Sequence, residues 1–342
     1  MIRSWLLAVL LLCSAFVNAK SSVNIYAWGN EIPSSLLAQF EKETGIQVNF
    51  STYDSNETMY AKLRASKKNI YDIIIPSGYF VERMTKQKLL TKLDSDKLPN
   101  LKNLDPLFEK SDYDIGNQYS VPLVWGTSGI FYNNSWIKNP PTSWQALWQP
   151  EWKDQLLMLD DIREIFSLTL ISLGYQPNDT DPKHIEAAYK KLLLLVPNIK
   201  LFSSDNICSI MIDEDANIGV SWNGDAFKAN TENPRIQYVY PSEGFMIWID
   251  CLAIPKNPPH PNEAYQFINF MLRAQSGAEI TSQLGYATTN LAGKQLLPSS
   301  LRNNLTIFPN EEILKNAHVQ RDVGEQAVEL YSDYWQKLKL AF

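Results

Sequence analysis

The chain is 342 residues long and carries 31 Lys and Arg against 37 Asp and Glu, a formal net charge of −6. With 45% hydrophobic and 20% charged residues it holds enough apolar mass for a substantial core, which excludes an intrinsically disordered chain. The sign of the charge excludes a polybasic nucleic-acid binder, and the length suits about two domains of roughly 100–200 residues each. The aromatic count is less ordinary: 10 Trp, 16 Tyr and 14 Phe are more ring than packing requires and hint at a ring-lined binding surface.

Residues 1–19 read as a secretory signal. Arg3 gives a positive start, Trp5 to Phe16 is an apolar run too short to span a membrane, and Val17-Asn18-Ala19 ends in small-residue cleavage chemistry. Cys13 lies inside the apolar run and Leu12 precedes it where a small residue would be needed, so a lipid anchor is not expected. Two cysteines follow, Cys208 and Cys251. A bridge would close a loop of about 43 residues, worth roughly 3–4 kcal/mol on the chain-entropy account; two buried free thiols are the equal alternative, and both stay open here.

Val23 to Trp28 predicts a strand, followed by a helix over Leu36 to Glu43 capped by Ser34 or Ser35 and ended at Gly45. Ile46 to Phe50 alternates as a strand, Asn56 is placed to cap a helix running to Lys67, and Tyr71 to Ile75 is a short apolar strand stopped by Pro76. That rhythm predicts a parallel sheet covered by helices on both faces. Ligands sit beyond the carboxyl ends of such strands, which points at Trp28 to Glu31 and Ser77 to Tyr79. A second α/β section follows Trp125, with helices over Asp161 to Ser172 and His184 to Leu195, strands near Ile218 to Trp222 and Phe245 to Ile254, and a helix over 263–272.

Enzyme signatures are scarce. His184, His260 and His318 are far apart, the cysteines form no CxxC pair, and no Walker loop, GxGxxG or GxSxG occurs, so no metal or cofactor is expected. The informative pattern is acid among rings. Trp248 and Asp250 share one strand face within the apolar run Phe245 to Ile254, and a carboxylate buried there without a partner costs several kcal/mol. A cation would relieve it, with Trp248 facing that cation or its alkyl chain, whereas Cys251 points the other way. Asp161 and Glu164 stand at capping-box spacing, Asn223-Gly224 reads as a turn, and Trp28 and Tyr79 end strands.

Three long runs then carry a specific likeness. Ser51-Thr52-Tyr53-Asp54-Ser55-Asn56-Glu57-Thr58-Met59-Tyr60-Ala61-Lys62-Leu63, Leu252-Ala253-Ile254-Pro255 after Asp250, and Gln320-Arg321-Asp322-Val323-Gly324 resemble the periplasmic spermidine/putrescine-binding proteins of polyamine ABC transporters. The resemblance implies an α/β, two-lobed periplasmic-binding-protein fold, each lobe a mixed sheet flanked by helices, with interwoven crossovers and a ligand cleft between the lobes. Residues 20–126 and 251–293 would form one lobe, 127–250 and 294–342 the other. By similarity Trp28, Ser77, Tyr79 and Tyr286 would line the cleft, completed by Asp161, Glu164, Trp222, Trp248, Asp250 and Gln320. The chain departs from the spermidine type after Trp28: Gly29, Asn30 and Glu31 stand where a Thr or Ser, an acid and a Tyr are usual. Asp225 stands where the spermidine type has Ser and the putrescine type has Asp.

A polyamine ligand is thus expected, with capture in the periplasm by a monomer and delivery to membrane permease subunits. A sensor feeding a membrane receptor is one alternative, and a carbohydrate-binding or glycoside-hydrolysing cleft is another, since Trp with Asp and Glu also suits sugars. Ligand charge separates them, because polyamine binding should weaken below about pH 4 as ordinary carboxylates protonate.

Overall fold

The computed structural model describes residues 21–66 and 68–342, so the signal reading of residues 1–19 and the far end of the helix expected to reach Lys67 lie outside the described residues. The first elements are β1 (Ser22–Trp28), α1 (Ser34–Thr44), β2 (Gln47–Tyr53), α2 (Asn56–Ala65), β3 (Ile73–Ile74) and α3 (Gly78–Lys86). β1 pairs in parallel with both β2 and β3. Its alternation sorts the core: Val23, Ile25 and Ala27 face the apolar side of α1 and α8 (Pro261–Met271), against Phe40, Phe267 and Phe270, while Tyr26 faces Met59 of α2 and Phe80 of α3. Both faces are covered, as the rhythm of the sequence requires.

Two expected caps move. α1 follows Pro33 with no side-chain cap, and the hydroxyl of Ser35 donates instead to Glu279 Oε1 at 2.5 Å. Ser55, not Asn56, caps α2 by accepting from the Thr58 N–H, which frees Asn56 to bond Ser77.

The chain then enters β4 (Ser120–Asn133), whose Ser120–Thr127 half pairs antiparallel with β9 (Phe245–Ala253). Its Ser128–Tyr132 half pairs antiparallel with β7 (Ile218–Trp222), and β8 (Ile236–Val239) pairs with it over Ile130–Asn133. β5 (Leu156–Met158) and β6 (Ile199–Phe202) extend this second sheet in parallel, flanked by α4 (Ile162–Ser172), α5 (Pro182–Leu195), α6 (Ile207–Ile212) and α7 (Asn223–Glu232). After α8 come α9 (Ala274–Leu284), β10 (Ala287–Thr288), α10 (Leu291–Leu296), α11 (Ser299–Arg302), α12 (Glu311–Leu314), β11 (Ala317–Val319) and α13 (Glu325–Ala341). Among the described residues the strand order is β2-β1-β3-β9-β4-β7-β5-β6, with β10 and β8 on β4 and β11 on β9.

β4 and β9 are therefore the strands on which the two halves of the molecule meet. One half has the cores around β1; the other has a separate core of Ile130, Phe131, Trp144, Phe166, Ile218 and Tyr331, closed by α13 packing back on α4 and α5. The full length of β4 was not expected from sequence, because Pro122, Gly126 and Gly129 all weaken a strand reading. A bulge after Pro122 absorbs the missing donor. Cys208 lies against the second core and Cys251 is buried in the first, so of the two readings left open the free thiols hold.

At Gly126 a Cβ would sit 2.2 Å from the Trp248 ring and 2.5 Å from Asn223 Oδ1, so only glycine lets the crossover pass the indole. Gly126→Ala is expected to cost about 1–3 kcal/mol and to displace Trp248. Thermal unfolding and tryptophan fluorescence check this, and an unchanged midpoint with unchanged emission would refute the tight crossing.

Candidate functional site

The ends of these elements converge. Trp28 closes β1 and the turn Gly29–Glu31 follows it; Ser77 and Tyr79 open α3; Asp161 caps α4 and Glu164 lies in its first turn; Trp222 closes β7 and Asp225 opens α7; Trp248 and Asp250 project from β9; Tyr286 precedes β10 and Gln320 follows β11. All of them line one cleft with about 840 Å³ of free space, mouth included, within the usual size of a small-molecule site. Tyr53, Asp54, Asn56, Val124, Ser204 and Asp205 line it too and were not singled out from sequence. Tyr53 was within reach of the strand-end rule, since it closes β2 directly beside Trp28.

Rings form the walls. Trp28 and Tyr53 lie 4.8 Å apart between ring centres on one side, and Trp248 meets Tyr286 edge-on at 5.1 Å on the other. The Asn223-Gly224 pair read as a turn is instead the start of α7. A Cβ on Gly224 would fall 2.2 Å from the Tyr286 ring, so the glycine makes room for that wall.

Carboxyl groups stand at intervals along the walls: Glu31, Asp161, Glu164, Asp225 and Asp250, with Asp54 and Asp205 beside them. No Lys or Arg lines the cleft among the described residues. Some of the acids have fixed partners. The Ser77 hydroxyl donates to Asp250 Oδ1 at 2.6 Å and is itself held by Asn56 Nδ2 at 3.0 Å. Tyr286 donates to Asp225 Oδ2 at 2.8 Å, and Gln320 Nε2 donates to Glu164 Oε1 at 2.6 Å. Asp161 accepts from the Glu164 N–H at 2.9 Å, so the N-cap half of the capping reading holds, whereas the Glu164 carboxyl turns to Gln320 instead of back to the Asp161 N–H, and both carboxyls line the cleft. Others are left open: both oxygens of Glu31, Oε2 of Glu164 and the indole nitrogens of Trp28 and Trp248 are buried without a hydrogen-bond partner.

Burial without counter-charge shows in the acidity. Burial, with the charge of Asp161 beside it, pushes Glu164 up to about 8. Asp250 rises to about 7 through burial, against the Ser77 hydroxyl that favours its anion, and Asp225 rises to about 6 through burial. Glu31 is raised by burial and by the neighbouring charge of Asp250. Arg163, beside Glu164 in sequence, offsets this only in part: its charge favours the Glu164 and Asp161 anions, but its guanidinium reaches away to the Arg321 carbonyl at 3.2 Å and Asn178 Oδ1 at 3.0 Å.

Behind the cleft a set of ion pairs joins the two halves. Arg83 of α3 pairs with Asp322 at 2.8 Å, and Arg321 with Glu82 at 3.0 Å, while Lys86 reaches both acids. The contacts of Arg321 and Lys86 hold Glu82 below its usual range although burial works the other way. Gln320, which contacts Glu164, is the residue next to this network.

A two-lobed α/β fold with a solute-sized cleft between the lobes defines a solute-binding protein. The family of bacterial extracellular solute-binding proteins matches residues 35–298, and the chain belongs to it. It is 43% identical over 327 residues to the spermidine/putrescine-binding periplasmic protein of Escherichia coli (strain K12), covering 95% of this chain and 94% of that one. It is 32% identical over 336 residues to the putrescine-binding periplasmic protein SpuD of Pseudomonas aeruginosa (strain UCBPP-PA14), covering 93% and 91%. A solved structure from Listeria monocytogenes, described as a candidate spermidine/putrescine ABC transporter, superposes with a TM-score of 0.91 at 38% identity, over 94% of this chain and all of that one. These relatives are named for what they bind or carry, not for a reaction.

The raised carboxyls bear on stability. Each holds its proton to a higher pH in the folded chain than in an unfolded one, where about 4 is usual. Their contribution to stability is whole below about pH 4 and is lost as pH climbs through about 6 to 8. The ligand-free protein is therefore expected to melt about 5 °C lower at pH 8 than at pH 5.5, at constant ionic strength. A scan in which the midpoint rises over that interval would contradict the buried, unpaired acids.

Proposed function

We propose that this protein captures a polyamine in the periplasm, after residues 1–19 are removed, and as a monomer delivers it to the membrane permease subunits of an ABC importer. The observation that carries the reading is the set of buried carboxyl oxygens on Glu31 and Glu164 that have no partner in a cleft without Lys or Arg. Such a site needs a ligand that brings its own cations. The paired rings call for a ligand that is apolar between those cations. A chain of ammonium groups joined by methylenes has both properties.

Charge-assisted hydrogen bonds to fixed carboxylates would measure the amine spacing, and each methylene covered by a ring adds about 0.8 kcal/mol. Micromolar affinity needs about −8 kcal/mol, within reach of two or three such pairs and the alkyl chain. A preformed, rigid cleft limits the entropy that a rotor-rich ligand loses. The names of the relatives support the same class of ligand. In this reading the lobes 20–126 with 251–293 and 127–250 with 294–342 close on the amine about β4 and β9, and the pairs Arg83–Asp322 and Arg321–Glu82 hold the closed form.

The raised carboxyls move the pH window expected from ordinary carboxylates. An ammonium group binds the ionised acids, so capture near neutral pH releases protons. Affinity falls as pH drops from about 8 to 6 rather than only below about 4, because the acids are already part-protonated there.

Calorimetric titration of ligand-stripped protein with putrescine, spermidine, spermine and a neutral oligosaccharide tests the reading. Heat from at least one amine and none from the sugar is expected, with Asp250→Asn losing at least about tenfold in amine affinity while remaining folded. Binding of the sugar alone would remove the reading. Asp322→Asn, away from the cleft lining, is expected to weaken amine binding by about tenfold through loss of the closed-state pair; unchanged affinity would show the ion pairs to be idle in closure.

A further inference from the structure

Asn56 is the first residue of α2, yet its side chain serves the segment that opens α3. It is only 2% exposed. Oδ1 accepts from the Ser77 N–H at 3.1 Å, while Nδ2 donates to the Ser77 hydroxyl at 3.0 Å and to the Tyr79 hydroxyl at 3.1 Å. The first of these bonds fixes the direction of the others. A main-chain N–H can only donate, so the amide oxygen must face it, and the amide nitrogen must then face both hydroxyls. Turned over, the amide would set N–H against N–H in a buried place.

Both hydroxyls are therefore acceptors toward Asn56, and their own protons point elsewhere. Ser77 stands just before α3, where a serine commonly caps a helix, but it makes no side-chain cap. Its hydroxyl donates instead to Asp250 Oδ1 at 2.6 Å. Main-chain pairing holds the two side by side: Ser77 and Asp250 are bridged antiparallel, and the Cys251 N–H donates to the Pro76 carbonyl at 3.0 Å.

We propose that Asn56 is a positioning residue of the cleft: by donating to the Ser77 hydroxyl it turns that hydroxyl's proton onto Asp250 and so keeps this acid a carboxylate, the form that an ammonium group can use. This rests on the polyamine reading above and deepens it. The other groups that face Asp250 give it no such help. Glu31 of the β1–α1 turn, Asp161 and Glu164 at the start of α4, the phenols of Tyr53 and Tyr286, and Cys251 next to it are all acidic, and no Lys or Arg lines the cleft among the described residues. Burial raises Asp250 to about 7, and the Ser77 hydroxyl works against that rise. A hydroxyl that itself accepts a hydrogen bond is the stronger donor. With both amide N–H groups spent on hydroxyls, Asn56 has none to offer a ligand and acts through Ser77.

Asn56→Asp inverts the arrangement: the new carboxylate still accepts from the Ser77 N–H but draws the Ser77 proton to itself and away from Asp250. Ligand-stripped wild type, Asn56→Asp, Ser77→Ala and the double variant are titrated by calorimetry with putrescine and spermidine at pH 7 and pH 9, and thermal unfolding of each protein is recorded. The added charge and any change in packing act alike with or without the Ser77 hydroxyl, so the affinity lost through Asn56→Asp is compared in the two backgrounds. With Ser77 in place, the loss at pH 7 is expected to be at least about threefold greater than in Ser77→Ala. That excess is expected to shrink at pH 9, where Asp250 ionises without help. A smaller excess at pH 7, or one undiminished at pH 9, would make Asn56 a merely structural residue and overturn the proposal while leaving the polyamine reading standing. If folded wild type binds neither amine nor spermine, the polyamine reading itself fails, and this proposal with it. Should Asn56→Asp not fold, Asn56→Ala takes its place under the same criterion, since it removes the donor and adds no charge.

Discussion

Charge buried without its opposite is the constraint on which the rest of this structure depends. Glu31, Asp161, Glu164, Asp225 and Asp250 are brought to one cleft by elements from both halves of the chain, and no basic side chain lines it among the described residues. Taking a carboxylate out of water costs several kcal/mol unless something returns the lost hydration. The free protein meets that cost by weakening the acids, their pKa values raised by burial, so that part of the cluster stays neutral. It also places single neutral donors where they orient an acid without neutralising it, as Ser77 does for Asp250, Tyr286 for Asp225 and Gln320 for Glu164. The cleft thereby holds oriented acids whose hydrogen-bonding capacity is incompletely used.

The same design links occupancy to the relation between the halves. The acids are not confined to one sheet: Glu31 follows β1 in one half, Asp161, Glu164 and Asp225 open helices of the other, and Asp250 projects from β9 where the halves meet. A ligand touching all of them must touch both halves at once. The residues Gln320, Arg321 and Asp322 extend that coupling, since the first contacts Glu164 within the cleft and the next two pair with Glu82 and Arg83 of the opposite half. Pairs of this kind contribute little net stability against apolar replacements, yet removing one partner leaves the other charge buried without compensation.

Much of this was legible in the chain. The alternation of Val23, Ile25 and Ala27 against Tyr26, the apolar stripe of the helix near 263–272 and the capping spacing of Asp161 and Glu164 are local patterns, and each became the element it encodes. The site acids and rings were legible through long runs that resemble a known family, together with the tendency of ligands to sit beyond strand ends. The reading failed where a residue's role depends on something distant in sequence. β4 is hard to read because Pro122 and Gly126 argue against a strand locally, and the Trp248 indole and the Asn223 amide, both distant in sequence, explain the glycine. Asn56 reads locally as a cap, but its amide is used by Ser77 and Tyr79, more than twenty residues on.

The division between the two levels has a physical basis. Side-chain periodicity and capping chemistry are properties of neighbours along the chain, and these determined the α/β class and most of the elements, while the kind of ligand was legible only through the resemblance of long runs to a known family. Acidity, by contrast, is set by burial and by charges from other elements. Only the tertiary structure decided that Glu31 turns inward while Asn30 faces solvent, that Arg163 reaches away from the acid beside it, and that Glu164 holds its proton to about 8. Those facts depend on what lies across the cleft, which no stretch of neighbouring residues contains.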